Sequence, residues 1–191
     1  MMKLNSTVLC AGLVLSSLAG AVGCGSDDDG SKGEMLASSN NSPVFRYLDP
    51  YAPAMAGTPN PIGTTASATA QAFDDNGKLR IELSVAGFPP TRPFGSHLHR
   101  LPCDDMTKAG THYQNMPFPT GGMATDPTYA NATNEAWLDF TTNAAGEGEN
   151  VVTVDWIPRP GEAKAIIFHD MLSGVGGVSG AKLACLPITG F

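Results

Sequence analysis

Four histidines, His97, His99, His112 and His169, carry most of the chemistry this chain can offer. His97 and His99 are separated only by Leu98. In a β-strand, residues i and i+2 point to the same face, so the two imidazoles converge while Leu98 faces the other way. His169 closes the apolar run Ala165-Ile166-Ile167-Phe168, a buried-type strand with a ligand at its exit. His112 sits in a long stretch without periodicity. Imidazoles drawn from three separate elements suit a metal site assembled in three dimensions, and all-nitrogen ligation suits copper or zinc. Exposed His-x-His pairs also arise by chance, so spacing alone leaves a metal site and a surface pair both open.

The four cysteines divide by position. Lys3 is the only charge before Asp27, and an apolar stretch from Val8 to Val22 follows it, broken only by small residues. That stretch is too short for a membrane span and reads as the core of a signal peptide. It ends in Ala21-Val22-Gly23-Cys24, small residues before a Cys, as in a lipobox. Residues 1–23 are therefore expected to be a lipoprotein-type signal peptide, with Cys24 lipidated. An ordinary cleaved signal that happens to contain Cys24 is the alternative. Gly25 rather than Asp follows Cys24, so a strong inner-membrane retention signal is not evident. The expected location is the cell envelope, lipid-anchored at the outer membrane or a periplasmic face, with the anchor as the sole membrane contact. Residues 24–43, with an Asp triplet and many Gly, Ser and Asn, read as a flexible tether, and the folded domain as 44–191. Cleavage would discard Cys10 and leave Cys103 and Cys185. An even pair in an oxidising compartment favours a disulfide over a metal site. Closing so long a loop contributes on the order of 4 kcal/mol in the chain-entropy model.

The elements that must position these residues are strands. With 191 residues the chain has room for one domain and an appendage. Hydrophobic residues at 42% can fill a core, and 22 Gly with 15 Pro argue for many turns rather than a helical bundle. Lys78–Val85 alternates, with Leu79, Ile81, Leu83 and Val85 on one face. Asn76-Gly77 before it is a hairpin signal. Further strands are expected over 64–73, 136–141, 150–156, 163–168 and 182–186, with another hairpin turn at 143–148. Trp137 and Trp156 are expected in the core or on a sheet face. The class is all-β, a sandwich or barrel. The irregular stretch 100–134 is long enough to be functional. A net charge of −7, which becomes −8 once Lys3 is removed, excludes phosphate-driven nucleic-acid binding. Gly174-Val175-Gly176-Gly177 lacks the strand and helix of a phosphate loop and reads as a tight turn.

Four segments resemble the copper–zinc superoxide dismutase family. Gly95-Ser96-His97-Leu98-His99 is similar to that family's Gly-Phe-His-Val-His. Ala109-Gly110-Thr111-His112-Tyr113-Gln114-Asn115 is similar to Ala-Gly-Pro-His-Phe-Asn-Pro. Ala165-Ile166-Ile167-Phe168-His169-Asp170 is similar to the Leu-Val-Val-His-Glu strand end, and Lys182-Leu183-Ala184-Cys185 to Arg-Leu-Ala-Cys. The order is the same, and the resemblance spans roughly residues 60 to 191. It implies an eight-stranded Greek-key β-barrel. It matches His97, His99, His112 and His169 to the four copper ligands, and Cys103 and Cys185 to the intrasubunit disulfide. His112 would be the ligand that releases copper and carries a proton in the reduced state.

The departures point to a copper-only member. The chain has no fifth His, and Asp126 is the only acid between Met116 and Asn134. One His and one Asp fall short of the usual four ligands, so the zinc site is expected to be absent. Glu135, Asp126 and Asp139 are the candidates to accept the free N–H of His112. The loop from 170 to 181 is short, which leaves the copper accessible. Lys182 stands where the family has its anion-guiding Arg and offers a point charge in place of a planar fork. The alternative for Lys182 is an ordinary solvated strand end. The function expected is a copper-dependent superoxide dismutase acting on the superoxide anion. A non-catalytic copper-binding lipoprotein, serving sequestration or delivery, is the alternative. A degenerate barrel used for adhesion is a third. The sequence is compatible with a monomer or a homodimer.

Overall fold

The computed structural model describes residues 33–47 and 60–191; the expected signal peptide, Cys24 and the first part of the tether lie outside the described residues. Among the described residues nine strands run in chain order: β1 (Glu34–Pro43), β2 (Phe45–Arg46), β3 (Ser67–Asp74), β4 (Leu79–Ala86), β5 (Pro93–His99), β6 (Phe140–Thr141), β7 (Gly148–Val154), β8 (Ala165–His169) and β9 (Lys182–Pro187). No α-helix occurs among the described residues. One sheet has the order β1-β3-β4-β7 and the other β2-β9-β8-β5-β6, with every pairing antiparallel.

The two sheets enclose one apolar core. Leu79, Ile81, Leu83 and Val85 of β4 are buried in it, on the face that the alternation predicts. Each contributes roughly 1.5–3 kcal/mol by leaving water. Across the core Phe88, Phe94, Phe140 and Phe168 pack at ring distances of 5.1–6.1 Å. The β3–β4 turn is the expected hairpin: Asn76 and Gly77 both take positive φ, and Asp75 N–H donates to the Lys78 carbonyl at 2.9 Å. Two left-handed residues match the twist of the flanking strands.

Four expectations need correction. The tether does not extend to residue 43, because Glu34–Pro43 is a strand paired with β3, with irregularities between Met35 and Ala37 and between Ser39 and Ser42. An edge strand is held by backbone hydrogen bonds, so its Ser- and Asn-rich sequence carries no apolar alternation. The sheets form an open sandwich of nine strands rather than a closed eight-stranded barrel. An isolated bridge between Ser38 and Thr189 spans the gap between them. The strand expected over 136–141 shortens to Phe140–Thr141, and Trp137 pairs with His97 only as an isolated bridge. The turn at 143–148 joins β6 to β7, which belong to different sheets, so it is a crossover and not a hairpin. Of the two tryptophans, Trp156 is in the core and Trp137 is half-buried beside the histidines.

The five-stranded sheet positions the site. Phe94, Leu98, Ile166, Phe168 and Leu186 point into the core. The alternate positions, His97 and His99 on β5, Ile167 and His169 on β8 and Cys185 on β9, project to the outer face. The register sets His97 opposite Ile167, and Ile167 opposite Cys185. Residues 100–139 then fold over that outer face. Arg100 and Leu101 N–H groups donate to the Thr111 and Ala109 carbonyls at 3.2 and 3.1 Å, which returns the chain to β5. Further along, Asn134 closes the loop at its neck, accepting Met116 N–H at 2.7 Å and donating to the Met116 and Tyr129 carbonyls.

Candidate metal centre

The structure brings all four histidines together, and one nitrogen from each lies within 4.8 Å of the others. His97, His99 and His169 arrive from β5 and β8 by strand alternation. His112 arrives from the loop, where it forms an isolated bridge with His99 and Tyr113 N–H donates to the Leu98 carbonyl at 2.7 Å. Tyr113 itself is fully buried, so the residue after His112 anchors it to the core.

Three of the imidazoles are oriented by a partner on Nδ1. His99 Nδ1 faces the Gly110 carbonyl at 3.2 Å, and His169 Nδ1 faces the Gly180 carbonyl at 3.5 Å. A carbonyl only accepts, so both Nδ1 atoms carry hydrogen and both Nε2 atoms present lone pairs. Those two Nε2 atoms face one another at 3.4 Å. His112 Nδ1 donates to Glu135 Oε2 at 2.8 Å. Buried His97 Nδ1 has no hydrogen-bond partner. Facing lone pairs and an unpartnered buried nitrogen are unfavourable alone, and a metal cation accepts all of them. The residues present fit a metal.

Burial, reinforced by the neighbouring His112 and His169, holds His97 and His99 well below the usual imidazole range. Burial followed by His112 pushes His169 down to about 3. These three imidazoles are neutral near pH 7, the form that binds metals.

Glu135 is the acceptor for His112 among the three candidates. It is fully buried, and its carboxylate also accepts from Trp137 Nε1 and Gln114 Nε2, both at 2.8 Å. Asp126 instead caps its own turn through Thr128 N–H, and Asp139 lies on the His97 side, 4.0 Å from His97 Nε2, with the Ser173 hydroxyl bonded to both. Gly177, left-handed at φ 66°, packs over the His112–Glu135 pair. A Cβ there would stand 3.1 Å from both His112 Nδ1 and Glu135 Oε2. The tight turn expected at 174–177 is thus part of the site.

Lys182 lies beside the imidazoles but is not a free strand end. Its ammonium donates to the Thr107, Lys108 and Gly110 carbonyls. Three acceptors use all three of its N–H groups. Burial lowers its pKa to about 8, with Lys108 adding to the effect. The carbonyls belong to a turn in which Lys108, Ala109 and Gly110 all have positive φ. Cys103 and Cys185 form a disulfide across 82 positions, tying the start of this loop to β9. Tyr47, Ala109, Ala165 and Ile167 pack around it on the outer sheet face. A cavity of about 290 Å³ opens against His99, His112, His169 and Lys182, with Ala124 and Val178 in its walls.

Sequence reasoning missed Ser173, Trp137 and the carbonyls of Gly110 and Gly180. No motif marks them: Ser173 meets His97 only when a loop 76 positions away folds onto the sheet, and the Gly110 and Gly180 carbonyls are backbone groups that no residue type announces.

No family model matches the chain, and no curated protein matches it in sequence. Solved structures do resemble it. The Cu/Zn superoxide dismutase from Brucella abortus is 18% identical, over 82% of this chain and 100% of that chain, with a TM-score of 0.52. The crystal structure of the clock protein EA4 is 16% identical, over 71% of this chain and 98% of that chain, with a TM-score of 0.48. At such identity the likeness to the first concerns the fold: this chain has a β-sandwich of the copper–zinc superoxide dismutase type.

Proposed function

We propose that the protein is a copper-dependent superoxide dismutase of the cell envelope that works without zinc. The observation that carries this reading is the convergence of four imidazole nitrogens within 4.8 Å on a sandwich of the matching type. Copper held by His97, His99, His112 and His169 supplies the one-electron couple for 2 O2•− + 2 H+ → O2 + H2O2. His112 is the ligand suited to move a proton. It is the most exposed of the four, with 16% of its side chain in solvent. Its Nδ1–H stays on Glu135 while Nε2 takes up and returns the proton, and the buried carboxylate offsets the imidazolium charge. The same hydrogen bond occupies the His112 nitrogen that a second metal would need, which supports a copper-only site. Lys182 adds positive potential at the cavity wall for an anionic substrate. Its donors are engaged, so it attracts the anion without gripping it.

Dismutation by copper-loaded protein should collapse toward the free-copper background in His112→Ala and His169→Ala. Equal rates in all three proteins would refute the catalytic reading. The engaged Lys182 and the net charge of −7 favour one alternative, a copper-binding protein without useful turnover. Tight copper binding with background dismutation would establish it. Lipidation of Cys24 is proposed on sequence alone, and Cys24→Ser should release the protein from membranes.

A further inference from the structure

We propose that Ser173 and Asp139 form a relay that locks His97 in one tautomer and so selects Nδ1 as its metal-facing atom. His97 Nε2 lies 2.5 Å from Ser173 Oγ, and Ser173 Oγ lies 2.7 Å from Asp139 Oδ1. The direction of both hydrogen bonds follows from the inventory of donors. A carboxylate only accepts, and a serine hydroxyl has one hydrogen. That hydrogen goes to Asp139, so Ser173 Oγ must accept from His97 Nε2–H. His97 Nδ1 is then left with a lone pair, and this is the buried atom without a partner. The opposite tautomer would bury an Nδ1–H with no acceptor, which is unfavourable.

Asp139 is well placed to hold this arrangement. Its carboxylate also accepts Ser96 N–H at 3.0 Å and Ser173 N–H at 2.6 Å. These bonds tie β5, the approach to β6 and the start of the 170–180 loop to one group. Asp139 does not reach the imidazole directly, since its nearest oxygen is 4.0 Å from His97 Nε2. The hydroxyl fills that gap. His97 thereby differs from His99 and His169, whose backbone carbonyl partners orient Nε2 toward the centre. Ser173 and Asp139 are positioning residues, for they touch no reacting atom.

The inference rests on reading the four imidazoles as a metal site, and its test has a readout independent of copper. Nitrogen-15 NMR of the metal-free full-length protein should show His97 protonated at Nε2. Asp139→Asn can donate to Ser173 Oγ, reverse the relay and place hydrogen on Nδ1. Ser173→Ala removes the relay but keeps the backbone bond to Asp139, and Ser173→Thr restores it. Copper affinity by competition titration should fall about 10–100-fold in Asp139→Asn and Ser173→Ala, and return in Ser173→Thr. Unchanged His97 tautomer and copper affinity in Asp139→Asn, with the variant folded by circular dichroism, would overturn the relay. A wild-type protein with the Nε2–H tautomer that binds no copper would refute the metal reading and leave the relay standing.

Discussion

In the four-stranded sheet, β4 alternates buried residues with half-buried or exposed ones along its whole length, and β7 alternates half-buried and exposed residues until Val154, which is buried. In the five-stranded sheet, every residue of β8 is buried, and so is all of β5 after Pro93. Both sheets have the same antiparallel geometry and the same inward-facing apolar positions. They differ in what covers the outer face. Water meets the first. Residues 100–139 and 170–181 cover the second, and the covered face holds the four imidazoles and the disulfide. Burial on that side therefore serves chemistry: it keeps imidazoles neutral and polar partners few and directional.

The largest effect should come from cutting the covered face loose. Replacing Cys103 and Cys185 together by Ser removes a cross-link over 82 positions, and denaturant unfolding under oxidising conditions should lose about 4 kcal/mol. A loss near zero would mean that the loop is held without it. Next, Leu83→Ala and Ile167→Ala should each cost about 2–5 kcal/mol, since both residues are buried. Only Ile167→Ala should also weaken copper binding, because it lies between His97 and Cys185 in register. Equal copper affinity in the two variants would erase the distinction between the sheets.

Glu135→Gln should reduce copper affinity by about 10–100-fold while leaving the core intact, measured by competition titration. An unchanged affinity would remove Glu135 from the site. The smallest effect per step concerns pH. Unfolded imidazoles titrate near 6.5, whereas His169 in the folded metal-free protein is held down to about 3. The unfolded chain binds the extra proton, so stability falls as pH drops from about 6.5 toward 3, by about 1.4 kcal/mol per pH unit for this residue. Bound copper should carry stability to lower pH. A metal-free protein equally stable at pH 7 and pH 4 would contradict neutral burial of this histidine.

Much of the uncovered sheet was legible in the sequence. Strand β4 and its Asn76-Gly77 turn were, because alternation and left-handed turn residues are local signals. Strand β1 was not, since Ser and Asn side chains carry no record of the backbone bonds that hold it. On the covered face, His97 and His99 could be read as partners from their spacing. Glu135 could be named only as one of three acids, and Ser173 could not be found at all, because loop closure over dozens of residues brings it to His97.

The sequence by itself determined the all-β class, the shared face of His97 and His99, the inward stripe of β4 and the pair of cysteines free to join. These follow from period-two geometry and residue chemistry, which act over a few positions. Tertiary structure alone decided that His112 meets Glu135, that three carbonyls occupy the Lys182 ammonium, and that Asp139 reaches His97 only through Ser173. Each of these depends on distances of a few ångströms between segments far apart in the chain, and only the packing of loops onto the outer sheet face sets them.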